Sequence, residues 1–223
     1  MICALLRSVA ATTVLGLLLV SCSDGDGVES SDASPSVSPS ASSTVGVPEG
    51  VSLTDGGAEL AFGDSATVVF EPNQRRGTVL ELTVDKVAQG SLDDFSGFIL
   101  DGSAKSSTPY YVDVSVENLG NGEVGGFAVP LYGVDDSDLL RQAATFTTSF
   151  QRCESEPLPE RFKGGDTFQS CLVYLVPKRG TLEAVSFRPT QAFDPITWTG
   201  DIRKPASRKP DKPKKPTRGK NSR

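Results

Sequence analysis

Four cysteines are the most reactive groups in this 223-residue chain. Histidine is absent, which removes the side chain that most often acts as general base or metal ligand near neutral pH. No serine then has a histidine to activate it, and none stands in a nucleophile-elbow context. Cys22 closes the run Leu19-Val20-Ser21-Cys22. It follows an apolar stretch from Val9 to Val20, with Arg7 in front. That stretch is too short for a permanent membrane span, which needs about 20 apolar residues. A basic front, a short apolar run and a small residue before the cut describe a secretory signal.

Leu19-Val20-Ser21-Cys22 resembles the bacterial lipobox. In such signals the cysteine thiol accepts a diacylglycerol, and cleavage leaves that cysteine first in the chain. A thiol suits the task as the most nucleophilic side chain at hand. Residues 1–21 are therefore expected to leave as a lipoprotein signal peptide, with Cys22 lipidated. The chain would then sit on the extracytoplasmic face of the cell membrane, held by lipid. The alternatives are an ordinary signal with an incidental cysteine, or an uncleaved membrane helix. Cys3 leaves with the signal, so Cys153 and Cys171 remain as an even pair in an oxidising compartment. Pro157, Pro159, Gly164 and Gly165 let the chain return between them. A disulfide is expected; the alternative is two free thiols. A structural zinc site would need more ligands.

The carboxylates are weaker candidates. Asp135, Asp136 and Asp138 fall in a turn and are of a type that binds calcium. Their spacing matches no calcium loop, and Asp93-Asp94 offers less, so no metal and no cofactor is expected. Paired carboxylates hydrolyse glycosides in some folds, but 28 acids will form pairs by chance. No catalytic residue is assigned, and the chain is not expected to be an enzyme. Trp198, the only tryptophan, lies in Ile196-Thr-Trp-Thr199 and reads as core packing before ligand platform. Strand alternation would turn one of Tyr110 and Tyr111 outward.

Charge divides the chain. Residues 203–223 hold ten basic residues and one acid: Arg203, Lys204, Arg208, Lys209, Lys212, Lys214, Lys215, Arg218, Lys220 and Arg223, with Asp211. Residues 1–202 hold twelve basic residues against 27 acids. Proline and like-charge repulsion keep such a tail extended. It suits an anionic envelope polymer or phospholipid. No nucleic-acid partner is expected, because the tail carries no aromatic residue for base stacking. The other possibility is a tail that only solubilises.

The elements that must carry these residues are strands. Residues 22–52 are Ser/Pro-rich, cannot bury enough apolar surface to fold, and read as a disordered tether. Residues 53–200 form the domain and 201–223 a disordered Lys/Pro-rich tail. Within the domain, Leu80, Leu82 and Val84 alternate with Glu81, Thr83 and Asp85. Val112, Val114 and Val116 alternate with Asp113, Ser115 and Glu117. This period of two gives one core face and one solvent face. Thr145–Gln151 and Leu182–Phe187 show weaker versions. Cys171–Val176 is continuously apolar and reads as a central strand covered on both sides. Turn signals at 73–77, 118–122, 125–126, 164–166 and 177–180 separate these runs. About eight short strands at this spacing predict an all-β, antiparallel β-sandwich.

Three stretches resemble the DUF4352 group and its relatives with the MPT63-like, telokin-like immunoglobulin fold, common in Gram-positive lipoproteins. They are Pro109-Tyr-Tyr-Val-Asp-Val-Ser-Val-Glu-Asn118, Arg161-Phe-Lys-Gly-Gly-Asp-Thr-Phe-Gln-Ser-Cys-Leu-Val-Tyr-Leu-Val-Pro177, and Ala61-Phe-Gly-Asp-Ser65. The resemblance implies an immunoglobulin-like sandwich and carries no catalytic motif to transfer. The expected role is a binding or scaffolding module of the cell envelope, anchored by lipid on Cys22. Alternatives are an accessory or sensory subunit that presents the sandwich to a membrane protein, and a carboxylate-dependent hydrolase.

Overall fold

The computed structural model describes residues 45–205. Cys22, the tether as far as residue 44, and the tail from residue 206 lie outside the described residues. The described chain is all-β, with nine strands and three single turns of 3-10 helix. In order the strands are β1 (Glu59–Ala61), β2 (Ser65–Asn73), β3 (Arg76–Gln89), β4 (Thr108–Asn118), β5 (Tyr132–Asp135), β6 (Leu140–Arg141), β7 (Thr167–Val176), β8 (Leu182–Phe187) and β9 (Ile196–Thr199). They make two sheets, ordered β2-β3-β4-β7 and β1-β9-β8-β5-β6. All pairings are antiparallel except β1 with β9, which is parallel.

Local chemistry explains the frame. The β2–β3 turn closes because the Asn73 side-chain oxygen accepts from the Arg75 and Arg76 backbone N–H groups, at 2.9 and 3.0 Å. This is the self-capping that suits asparagine to turns. In β3 and β4 the alternation holds: Leu80, Leu82, Val84, Val112, Val114 and Val116 are buried and meet side chains of the second sheet. Val185, Phe187, Ile196 and Trp198 face them in the same core. Each such side chain contributes roughly 1.5–3 kcal/mol on leaving water. Trp198 is wholly buried, and its indole N–H donates to the Asp64 carbonyl at 2.9 Å. A β-bulge between Val84 and Lys86 then shifts the β3–β4 register. Beyond it Lys86 points outward and pairs with Asp113 at 2.6 Å.

Asn118 ends β4 and is fully buried. Its amide donates to the carbonyls of Gly122 and Phe162, and its oxygen accepts from the Thr78 hydroxyl and the Gly120 N–H. Four satisfied bonds let a polar side chain occupy the core without the penalty of an unmade one.

Three expectations need correction. Cys171–Val176 is covered on both faces, but β7 is an edge strand rather than a central one. Thr145–Gln151 is not a strand; it is irregular chain draped over β7, where the Ala144 N–H donates to the Val173 carbonyl. Tyr110 and Tyr111 are both buried, because that draped chain covers the sheet face that alternation had assigned to water.

Candidate functional site

Tyr111 faces away from the main core into a second, smaller one on the outer side of β4 and β7. The segment after β3 and the segment after β6 supply its roof, with Phe95, Phe98, Phe146 and Phe150. Phe150 stacks on Phe95 at 4.6 Å between ring centres and on Phe146 at 5.1 Å. Phe98 stands edge-on to Phe150 at 5.5 Å. Offset and edge contacts of this kind add about 0.5–1.5 kcal/mol each beyond area burial.

The disulfide staples this roof to the sheet. Cys153 and Cys171 are bonded, with α-carbons 5.1 Å apart. Cys171 lies on β7 and Cys153 in the turn after Phe150, so the bond crosses the small core. The Arg152 guanidinium lies over the Tyr111 ring at 5.6 Å. The Tyr111 hydroxyl donates to the Asp94 carboxylate at 2.9 Å. Burial, and then that bond to a carboxylate, push the Tyr111 phenol far above its ordinary pKa. It is a locked proton donor, unsuited to proton exchange near neutrality. Its partner Asp94 is tied down in turn, accepting from the Ser91 N–H at 3.0 Å. At the roof's tip, Ile99 is fully exposed between half-buried Phe98 and Leu100.

The acidic turn of the sequence reading is structural. Asp135 is buried. It accepts from the Ser137 and Leu139 N–H groups at 2.9 and 3.0 Å and forms an ion pair with Arg141. Burial raises its pKa, but those backbone bonds and the guanidinium outweigh it and hold the carboxyl below its usual range. Asp136 and Asp138 do not join it. Among the described residues no group of three or more His, Cys, Asp or Glu is placed to hold a metal.

Sequence reasoning missed a carboxylate pair. Glu81 on β3 stands directly opposite Glu117 on β4, on the open outer face of the sheet. Thr83, Ser115, Thr167 and Gln169 share their shallow groove. The signal was present, because both acids occupy outward positions of strands already recognised. Like charges in register destabilise a sheet slightly, and water screens them here.

Of the ten basic tail residues, the structure describes Arg203 and Lys204; the other eight lie outside the described residues. The root of the tail is fixed. The Arg203 N–H donates to the Val87 carbonyl at 3.0 Å, and its carbonyl accepts from Gln89 at 2.7 Å. Arg203 thus pairs in parallel with Ala88 at the end of β3, while both basic side chains stay exposed.

No family profile, curated protein or solved structure matches the chain. Among the described residues no helix is long and apolar enough to cross a membrane.

Proposed function

We propose that this chain is a lipid-anchored, extracytoplasmic binding or scaffolding module of a bacterial cell envelope, without catalysis. One observation carries the reading: Leu19-Val20-Ser21-Cys22 stands in register behind the apolar run Val9–Val20. The bonded Cys153–Cys171 pair fits the oxidising compartment such a signal leads to. The ten basic residues of 203–223 engage an anionic envelope polymer by charge alone. The segments that resemble the DUF4352 group support an immunoglobulin-like assignment of the domain. One of them is β4 with its buried Asn118, and another contains all of β7.

Two acyl chains on Cys22 would hold the protein firmly, at about 0.8 kcal/mol per buried methylene. Cys22→Ala should therefore accumulate as precursor or be released, and should take up no labelled fatty acid in cells. Normal labelling of that variant ends the proposal.

A second reading is an accessory subunit for a membrane protein. Ile99 favours it: among the described residues it is the most exposed of five large apolar side chains left in water, set between half-buried Phe98 and Leu100. Charge reversal of the tail would leave such a partner bound, whereas Ile99→Asp would release it from a membrane pull-down.

A further inference from the structure

Two turns meet where β2 passes into β3, and an asparagine locks each. In the first, the Asn73 side chain accepts from the Arg75 and Arg76 N–H groups. In the second, which follows β4, the Asn118 amide donates to the Gly122 carbonyl at 2.8 Å, and its oxygen accepts from the Gly120 N–H at 3.2 Å. Gly122 lets the two backbones touch, since a β-carbon there would overlap the Gly77 carbonyl. Beside that contact lies an open cavity of about 340 Å³, with Arg75, Arg76, Asn121 and Gly122 in its lining. Its volume falls in the range of small-ligand sites.

The walls are rich in hydrogen-bond donors. Arg76 is held in place, one guanidinium N–H reaching the Gly125 carbonyl at 3.4 Å and the group lying over the Phe127 ring at 5.7 Å. The Arg75 guanidinium has no ion-pair or hydrogen-bond partner among the described residues. The successive N–H groups of Asn121 and Gly122 likewise have none among the described residues. Consecutive N–H groups of this kind make an anion-binding concavity, and a guanidinium matches two phosphate oxygens at once. Glu71 is the one acid in the lining and has a contact of its own. Two cations against one acid leave the cavity net positive.

We propose that this cavity binds a phosphate group, gripped by the Arg75 guanidinium and by the N–H groups of Asn121 and Gly122. Because the cavity is open, the group can be the free ion or an ester of something larger. The site lies wholly within the folded domain and depends on neither lipid at Cys22 nor the basic tail.

The test follows the amide resonances of the full chain in detergent during titration with inorganic phosphate, at an ionic strength held constant with chloride. The Asn121 and Gly122 signals should move and saturate, while those of Val185 and Thr197 in the second sheet stay still. Reading by residue keeps the basic tail out of the signal. Arg75→Gln should weaken binding about ten-fold or more, the lower end of what a hydrogen bond to a charged group is worth. Lys105→Gln removes a cation that does not line the cavity and should leave the affinity within about two-fold. A phosphodiester, glycerophosphoglycerol, is titrated in parallel. Saturable binding of the diester, with or without the free ion, assigns the site to a phosphate carried on a larger molecule; binding of inorganic phosphate alone assigns it to the free ion. No saturable shift at 121–122 with either compound overturns the proposal. Equal weakening by Arg75→Gln and Lys105→Gln also overturns it, because diffuse charge would then account for the binding.

Discussion

Removing the staple between Cys153 and Cys171 should loosen one face of the molecule before it destabilises the whole. The clean perturbation is the double variant Cys153→Ala/Cys171→Ala, which leaves no lone thiol in the roof. The bond spans a sequence separation of 18 residues. On the chain-entropy account, a loop of that size is worth about 3 kcal/mol. For a domain of this size, each kcal/mol moves the melting temperature by about 2–4 °C. The expected loss is therefore about 6–12 °C by calorimetry. Location makes the prediction sharper than its size. Cys153 follows Phe150, and Phe150 holds Phe95, Phe98 and Phe146 together over Tyr111. Native-state hydrogen exchange should thus speed up at Ala144 and Cys153, whose N–H groups bond to Val173 and Phe150. Protection at Leu80, Leu82 and Val114 should fall only as far as global stability does. A melting loss below about 2 °C with unchanged exchange at 144–153 would refute the reasoning, because the aromatic stack would then hold the roof unaided.

Three further outcomes follow from the packing and the charges. Val114→Asp places a carboxylate among buried apolar side chains with no partner and should abolish the cooperative melt, a β-rich circular dichroism spectrum giving way to that of an unfolded chain. Arg141→Met leaves Asp135 buried without its cation and should cost about 2 kcal/mol near neutrality. Asp135 has a folded pKa below its unfolded value, so its contribution is present above about pH 4 and is lost as the pH falls through the folded pKa. The gap between the natural protein and Arg141→Met, read from denaturant curves, should therefore shrink between about pH 7 and about pH 3; a constant gap would mean the pair contributes nothing by charge. Gly122→Ala should cost about 2–3 kcal/mol, because a methyl there overlaps the Gly77 carbonyl in the turn that Asn118 braces; an unchanged urea midpoint would contradict that close approach.

The legible parts of this fold were those where one strand's own pattern decides its environment. Leu80/Leu82/Val84 and Val112/Val114/Val116 read correctly because the main core lies under them along their whole length. Leu182–Phe187 was recognised with the bounds of β8. The misreadings share a cause. Tyr111 and β7 are covered on the outside by chain distant in sequence, and a period of two carries no information about a roof. The same roof turned Phe146 and Phe150 from apparent strand residues into loop residues that anchor by their rings. Cys153 and Cys171 were the one local sign that two remote segments meet there. The parallel β1–β9 pair left no sign, since neither strand is long enough to show a pattern. Glu81 and Glu117 were visible as outward residues, but their register depends on which strands pair, and that is set by the global topology.

That parallel pair has a kinetic consequence. Leu60 lies opposite Trp198, so the first strand of the domain finds its partner only when nearly the last has been made. At ~5–20 residues per second, synthesis leaves β1 unpaired for about 7–30 s. The second sheet cannot close around Trp198 in that interval, and pairings this remote form slowly once available. The first strand of the domain is thus among the last to be placed, by the topology itself.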